Sequence, residues 1–324
     1  MNTTNEIQIL RNAMLFGLSR HAWGNRCQAN RSKLQTEETD AVTGETKAKK
    51  ISKRVNATKQ LIVCDEYNAC IAALNDTYTW VLKRSMLATG IGRGVNLVKR
   101  SMVSEIVAKV EADRKALREQ LVPALVAAYP AAKEAAKRPV NEAEPEKGGL
   151  GSLYDESDYP TPEKLAASFD IEYRLFALSV PDELPEEIRA AENAKLKEMY
   201  AEVQTEAKFA LREAFARMVN HATDKLTVKP GEKEKGFRQN SFVENWQEFF
   251  ETFEARNLME DSDLARLVSQ AKGILSGVKP DDLKRNQELR ELVATRFAEV
   301  EKVMDTLVAE RPSRKFSLED DEAV

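Results

Sequence analysis

The chain has 324 residues, of which 42% are hydrophobic and 31% charged, so it is long enough to bury one large core or two smaller ones as a soluble globular protein. Its three cysteines, Cys27, Cys64 and Cys70, form no CxxC pair, which excludes a readable disulfide framework or four-ligand zinc site and makes a reducing cytoplasm the expected compartment. The start, MNTTNEIQILRNAMLFGLSR, lacks a basic region followed by a long apolar run, and the longest apolar stretch, near LVPALVAAYPAA, is short and contains prolines, so neither a signal peptide nor a membrane span is expected.

The net charge of −4 conceals an asymmetry. Residues 20–118 carry 19 Lys and Arg against 10 Asp and Glu, a balance of +9; residues 1–19 balance to zero, which leaves −13 for residues 119–324. Such polarity either steers an anionic partner or lets the acidic half neutralise the basic half within the fold.

In chain order, residues 60–88 place Leu61, Val63, Tyr67, Ile71, Leu74, Tyr78, Val81 and Leu82 mostly at steps of three and four, which predicts one helix. Residues 96–137 continue with Val103, Ile106, Val110, Leu117, Leu121 and Leu125, a second and longer helix in which Pro123 is expected to kink or end a turn. Between them, LATGIGRGVNLVKR holds Gly90, Gly92 and Gly94 on alternate positions. The run is G-x-G-x-G after a helical stretch, so it meets neither the Walker nor the dinucleotide template and reads as the turn of a helical hairpin. A weaker alternative is a phosphate held at the start of the second helix with Arg93, Lys99 and Arg100 beside it.

Residues 138–162, RPVNEAEPEKGGLGSLYDESDYPTP, concentrate Pro, Gly and acidic residues and read as a linker or long surface loop. After it, SFDIEYRLFALSVP alternates Phe169, Ile171, Tyr173 and Leu175 as a strand does, and DKLTVKPGEKEKGFRQNSF reads as two short strands about a turn, together a small antiparallel sheet. Residues 185–226 between them predict a helix of about 60 Å at 1.5 Å per residue, which should project or pack against the other long helix. SFVENWQEFFETFEARNL, DSDLARLVSQAKGILSG and residues 281–310 are three more helices; Asp261 or Ser262 is the expected N-cap, Gly277 a stop and Pro280 a start. The aromatics Phe242, Trp246, Phe249, Phe250 and Phe253 read as core rather than as a base-stacking platform. The ending SLEDDEAV is an acidic tail expected to be disordered.

The expected fold is mainly α: long antiparallel helices forming a bundle or helical hairpin, with a small antiparallel β element in the second half. Its expected parts are a basic N-terminal helical region at 1–137, the linker or loop at 138–162, a helical region with the β element at 163–312 and the acidic tail at 313–324. His21 and His221 lie far apart in sequence and belong to no H-x-x-x-H or H-x-E arrangement. Carboxylate pairs such as Asp281 with Asp282 fall where a helix start already explains them. No catalytic, cofactor or metal residue is therefore assigned.

The order of landmarks adds a resemblance. An early apolar segment leads to HAWGNRCQANRSKL, with Trp23, Arg26, Lys33 and Leu34, then to the Lys-rich KAKKISKRVNATKQL, a helix, the glycine turn TGIGRGVNLV and a long helix reaching ALVAAYP with Tyr129 and Pro130. Over about the first 130 residues this is similar to a family of helical bacteriophage and bacterial proteins of unknown function, some encoded near MoxR-type AAA ATPases. The resemblance implies a phage-encoded protein of the host cytoplasm with an AAA ATPase as a partner, and implies no catalytic residues. The expected role is a non-catalytic binding or assembly factor with a protein partner or self-association. The alternative is nucleic-acid binding in phage replication or recombination, with Lys49, Lys50, Lys53, Arg54, Arg93, Lys99 and Arg100 as phosphate contacts.

Overall fold

The computed structural model describes residues 12–39, 46–50, 54, 56–88, 91–92, 94–141, 148–227 and 239–309. Helix dominates, with a minor antiparallel β component, as expected. The strands, however, lie chiefly in the region expected to be helical: β1 (Ala13–His21), β2 (Arg26–Gln28), β3 (Gln35–Thr39), β4 (Thr46–Lys50), β5 (Thr58–Gln60), β6 (Met86–Leu87), β7 (Val95–Lys99) and, later, β8 (Asp170–Phe176). A four-stranded sheet has the order β6-β7-β1-β8, while β2 pairs with β5 and β3 with β4. In β1, Ala13, Leu15, Phe16 and Leu18 are all buried, so an apolar run too short for a helical repeat satisfies a sheet buried on both faces.

The helices are α1 (Asp65–Leu82), α2 (Val103–Ala116), α3 (Val122–Lys137), α4 (Pro162–Ala167), α5 (Glu186–Leu226), α6 (Gln239–Arg256), α7 (Ser262–Leu275), α8 (Pro280–Arg285) and α9 (Gln287–Ala309). A π-helical turn at Leu117–Leu121 joins α2 to α3 without interrupting the helix. Pro123 sits in the first turn of α3, where the widened preceding turn accommodates its missing N–H, so it does not end the helix. The helix expected over 281–310 is instead broken at Asn286, whose φ of −113° and ψ of 104° are extended and whose side chain accepts the Leu289 amide at 3.0 Å. The expected N-cap at Asp261 is present, its carboxylate accepting the Leu264 amide.

Two further expectations change. The glycine stretch closes the β6–β7 hairpin rather than joining two helices: Met86 pairs with Leu97, and the Ala88 amide donates to the Val95 carbonyl at 3.0 Å. Gly94, with φ of +74°, supplies the left-handed residue this turn needs, and Gly92 does not have positive φ. The strand expected at Phe169–Leu175 forms as β8, but its sheet neighbour is β1. The strand pair expected within residues 224–242 is absent where it is described, because Asp224–Leu226 close α5 and α6 begins at Gln239; the turn between, like the acidic tail, lies outside the described residues.

Contact density divides the chain into two compact units that are each discontinuous: residues 1–17, 82–103 and 175–324, and residues 18–81 and 104–174. The linker expected at 138–162 thus falls inside the second unit. Its described part carries two 3-10 turns, and Tyr159 is buried with its hydroxyl donating to the Leu61 carbonyl at 2.9 Å. Pro and Gly prevent a helix there without preventing packing.

Each unit has its own core. In the first, Phe215 of α5 stacks on Phe249 at 5.5 Å and meets Trp246 edge-on at 5.9 Å, and Trp246 lies 5.0 Å from Phe297 of α9. Buried Arg212 makes two hydrogen bonds to Asp261, at 2.7 and 3.2 Å, and donates to the Leu307 carbonyl, so one guanidinium ties α5 to the start of α7 and the end of α9. Burial pushes the Asp261 carboxyl up, but the Arg212 bonds, the Leu264 amide and the Lys208 charge outweigh it and hold the group below the usual carboxylate range. In the second unit Trp23 meets Tyr67 and Tyr129 edge-on, Tyr67 meets Phe169, and Arg114 and Arg118 both bond Asp170 at 2.7 Å.

Candidate functional site

The candidate phosphate contacts do not fall in one unit. Lys49 and Lys50 stand on β4, in register with Thr36 and Gln35 of β3, and Arg54 is exposed in the same unit. Lys99 ends β7 in the other unit, where its Nζ donates to the Glu254 carbonyl at 3.2 Å and lies 3.8 Å from that residue's carboxylate; Arg100 follows it, exposed, in a 3-10 turn. Lys53 and Arg93 lie outside the described residues.

The second unit holds the densest polar cluster. Cys27 and Lys59 are cross-strand partners in the β2–β5 pair. The Lys59 ammonium is buried; it donates to the Leu153 carbonyl at 2.6 Å and stands 2.5 Å from Asp158 Oδ2 as an ion pair rather than an aligned hydrogen bond. Burial, reinforced by the Asp158 charge, pushes the Cys27 thiol up; burial likewise raises Cys64, and takes Cys70 to about 11. All three stay protonated near neutral pH, the opposite of the depressed pKa an activated thiolate nucleophile requires. The cluster fastens the loop at 148–162 to the strands. Among the described residues no group of three His, Cys, Asp or Glu side chains is placed to hold a metal ion.

The first unit contains a groove of about 530 Å³ between α5 and α6. Helical spacing builds both walls: Ala214, Arg217, Met218 and His221 follow steps of three and four on α5, as do Phe242, Asn245, Trp246 and Phe249 on α6, with Arg256 two turns on. Lys83, just after α1, completes the rim and pairs with Glu248 at 2.8 Å. Arg256 lies over the Phe249 ring at 5.7 Å. Burial pushes its guanidinium below the ordinary value, against the opposing pull of Glu248. Residue-by-residue reading assigned the aromatics to core and His221 to no role; the usable signal was that Arg217 and Arg256 continue the faces those apolar residues define.

The exposed first third of α5 is a second candidate surface. Residues 186–199 contain no buried side chain, although the rest of the helix is embedded in the core. At 1.5 Å per residue that is about 21 Å of helix. Ile188 is half exposed, Met199 is partly open, and Leu196 is partly buried against the core.

No family model, curated protein or solved structure matches the chain. Within the described residues, no helix is long and apolar enough to cross a membrane.

Proposed function

We propose that the protein is a non-catalytic binding or assembly factor that engages a protein partner through residues 186–199 of α5. The observation that carries this reading is a helical segment with no fully buried side chain, in which Leu196 is partly buried against the core and Ile188 stays half exposed. Arg189 pairs with Glu186 and Lys195 with Glu192 at 2.6 Å, so charges of both signs alternate beside Ile188, Leu196 and Met199. That combination suits a partner helix with the complementary pattern, since apolar contacts supply affinity and the flanking charges set orientation. The partner to try first is a second copy of the chain; an AAA ATPase and other cytoplasmic proteins of a phage-infected cell follow from the resemblance at the N-terminal half. The test compares wild type with an Ile188→Glu, Leu196→Glu double variant by sedimentation and by affinity capture with a nuclease control. Loss of association in a variant with unchanged circular dichroism is expected; an unchanged sedimentation coefficient and capture profile would overturn the reading.

Nucleic-acid binding is a second reading, favoured by β4, whose sequence TKAKK sets Lys47, Lys49 and Lys50 on a two-stranded hairpin of its own. Phosphate contacts release counterions, so binding should fall steeply with salt. A mobility shift at about 50 mM salt, lost on charge reversal at Lys49 and Lys50, is expected; no shift there excludes this reading.

A further inference from the structure

We propose that the α5–α6 groove is a binding site for a small amphiphilic anion, one with an apolar body and a carboxylate or phosphate head. The inference concerns a surface apart from residues 186–199 and does not depend on it. The first argument is charge. Among the described lining residues Glu248 is the one carboxylate, against the cations Lys83, Arg217 and Arg256. Lys83 takes up Glu248 at 2.8 Å, and both side chains are nearly half exposed, a pair that contributes little. The Arg217 and Arg256 side chains form no hydrogen bond or ion pair with any described residue. Arg256 is partly withdrawn from water, with the Phe249 ring, the C-terminal end of α6 and the more distant Glu248 charge, itself taken up by Lys83, as its partial compensation. A desolvated guanidinium presents a fixed fork of donors, and a carboxylate or phosphate is the group that matches it in charge and geometry.

The second argument is size and lining. A volume of about 530 Å³ lies within the range of small-molecule sites, and the partly open Ala214 and Met218, over a floor of the buried Phe242 and Phe249 rings, supply an apolar wall for a hydrocarbon or small aromatic body. Trp246 is almost fully buried, so it forms floor and leaves no open ring face for a nucleobase. The groove thus favours an anion with an aliphatic or small aromatic body over a nucleotide.

Isothermal titration of the full-length protein with octanoate and octyl phosphate, beside octanol and octylammonium, tests this. At least one anion should bind with one-to-one stoichiometry, about tenfold or more tighter than octanol, and octylammonium should not bind. Which anion binds tells carboxylate from phosphate. Arg217→Gln, at an exposed position, and Arg256→Gln should each weaken the anion about tenfold and leave octanol unchanged, and Ala214→Trp should block all binding by filling the groove. Circular dichroism and melting check that each variant folds; if Arg256→Gln does not, Arg217→Gln and Ala214→Trp decide. Equal binding of octanol and the anions, an anion preference that survives Arg217→Gln, affinity only for an acidic peptide, or no binding at millimolar anion would each overturn the proposal.

Discussion

The two parts of α5 are one uninterrupted helix with opposite environments. Residues 200–226 carry Tyr200, Val203, Ala207, Leu211, Phe215, Val219, Ala222 and Leu226, all buried, at steps of three and four. Residues 186–199 carry none, yet the same backbone hydrogen-bond ladder continues through them. The first third is mostly Glu, Ala, Lys and Arg, which lose little side-chain freedom in a helix and form local ion pairs; the remainder is held by packing against α6, α7 and α9. Propensity can extend a helix that packing has nucleated, but a segment of this length is marginal in water by itself. Evenness of helical structure therefore conceals a gradient of packing, and the weakly anchored end is the one proposed to meet a partner.

The largest test of that gradient strikes the packed part. Phe215→Ala removes the ring that meets both Trp246 and Phe249 and should cost about 4 kcal/mol in denaturant unfolding, since the aromatic cluster around it cannot collapse into the void. A loss under about 1 kcal/mol would mean the packed part is no firmer than the exposed one.

Next comes Asp261→Asn, which keeps a capping oxygen for α7 but takes the Asp261 charge away from buried Arg212, at a cost of about 3 kcal/mol at neutral pH. The sign of its pH dependence is set by the depressed carboxyl. Its stabilisation is fully present above the unfolded carboxylate value near 3.9 and is lost as pH falls through the lower folded value, so the gap between wild type and variant should narrow below about pH 4. A gap constant down to pH 2 would show that the pair contributes nothing through its charge.

The smallest effect belongs to the exposed end. Ala194→Gly should cost that segment about 1 kcal/mol of local helix stability and accelerate amide exchange over residues 186–199, with the global unfolding midpoint unmoved. If the midpoint falls with it, the whole helix is one cooperative unit and the comparison fails.

Much of the helical architecture was legible because it is local information. The buried faces of α6 and α7, the Asp261 cap, the Pro280 start and the length of α5 follow from three- and four-residue spacing and from capping chemistry, which act between neighbours in the chain, whereas the helix expected over 60–88 is confined to Asp65–Leu82 and buries Cys70 and Thr77 beside the expected Leu74 and Val81. The β component was misplaced for the complementary reason. β1 pairs with β7 some eighty positions away, Ala13 opposite Lys99 and Gly17 opposite Val95, and no spacing within either segment announces a partner at that separation. The glycine hairpin was legible as a turn but not as a β turn, because Gly94 adopts its left-handed angle equally well between helices or strands. The groove was less legible still: Arg217, Arg256 and Lys83 come from three separate segments, and only their meeting makes a cation surplus against an apolar wall. The sequence by itself determined the helical class, the caps and the charge carried by each segment, because propensity, periodicity and ionisation are properties of residues and their near neighbours. Tertiary structure alone decided which strands pair, that Arg212 and Asp261 meet as a buried pair, and which cations gather at the groove, because each depends on distances closed by the fold rather than by the chain.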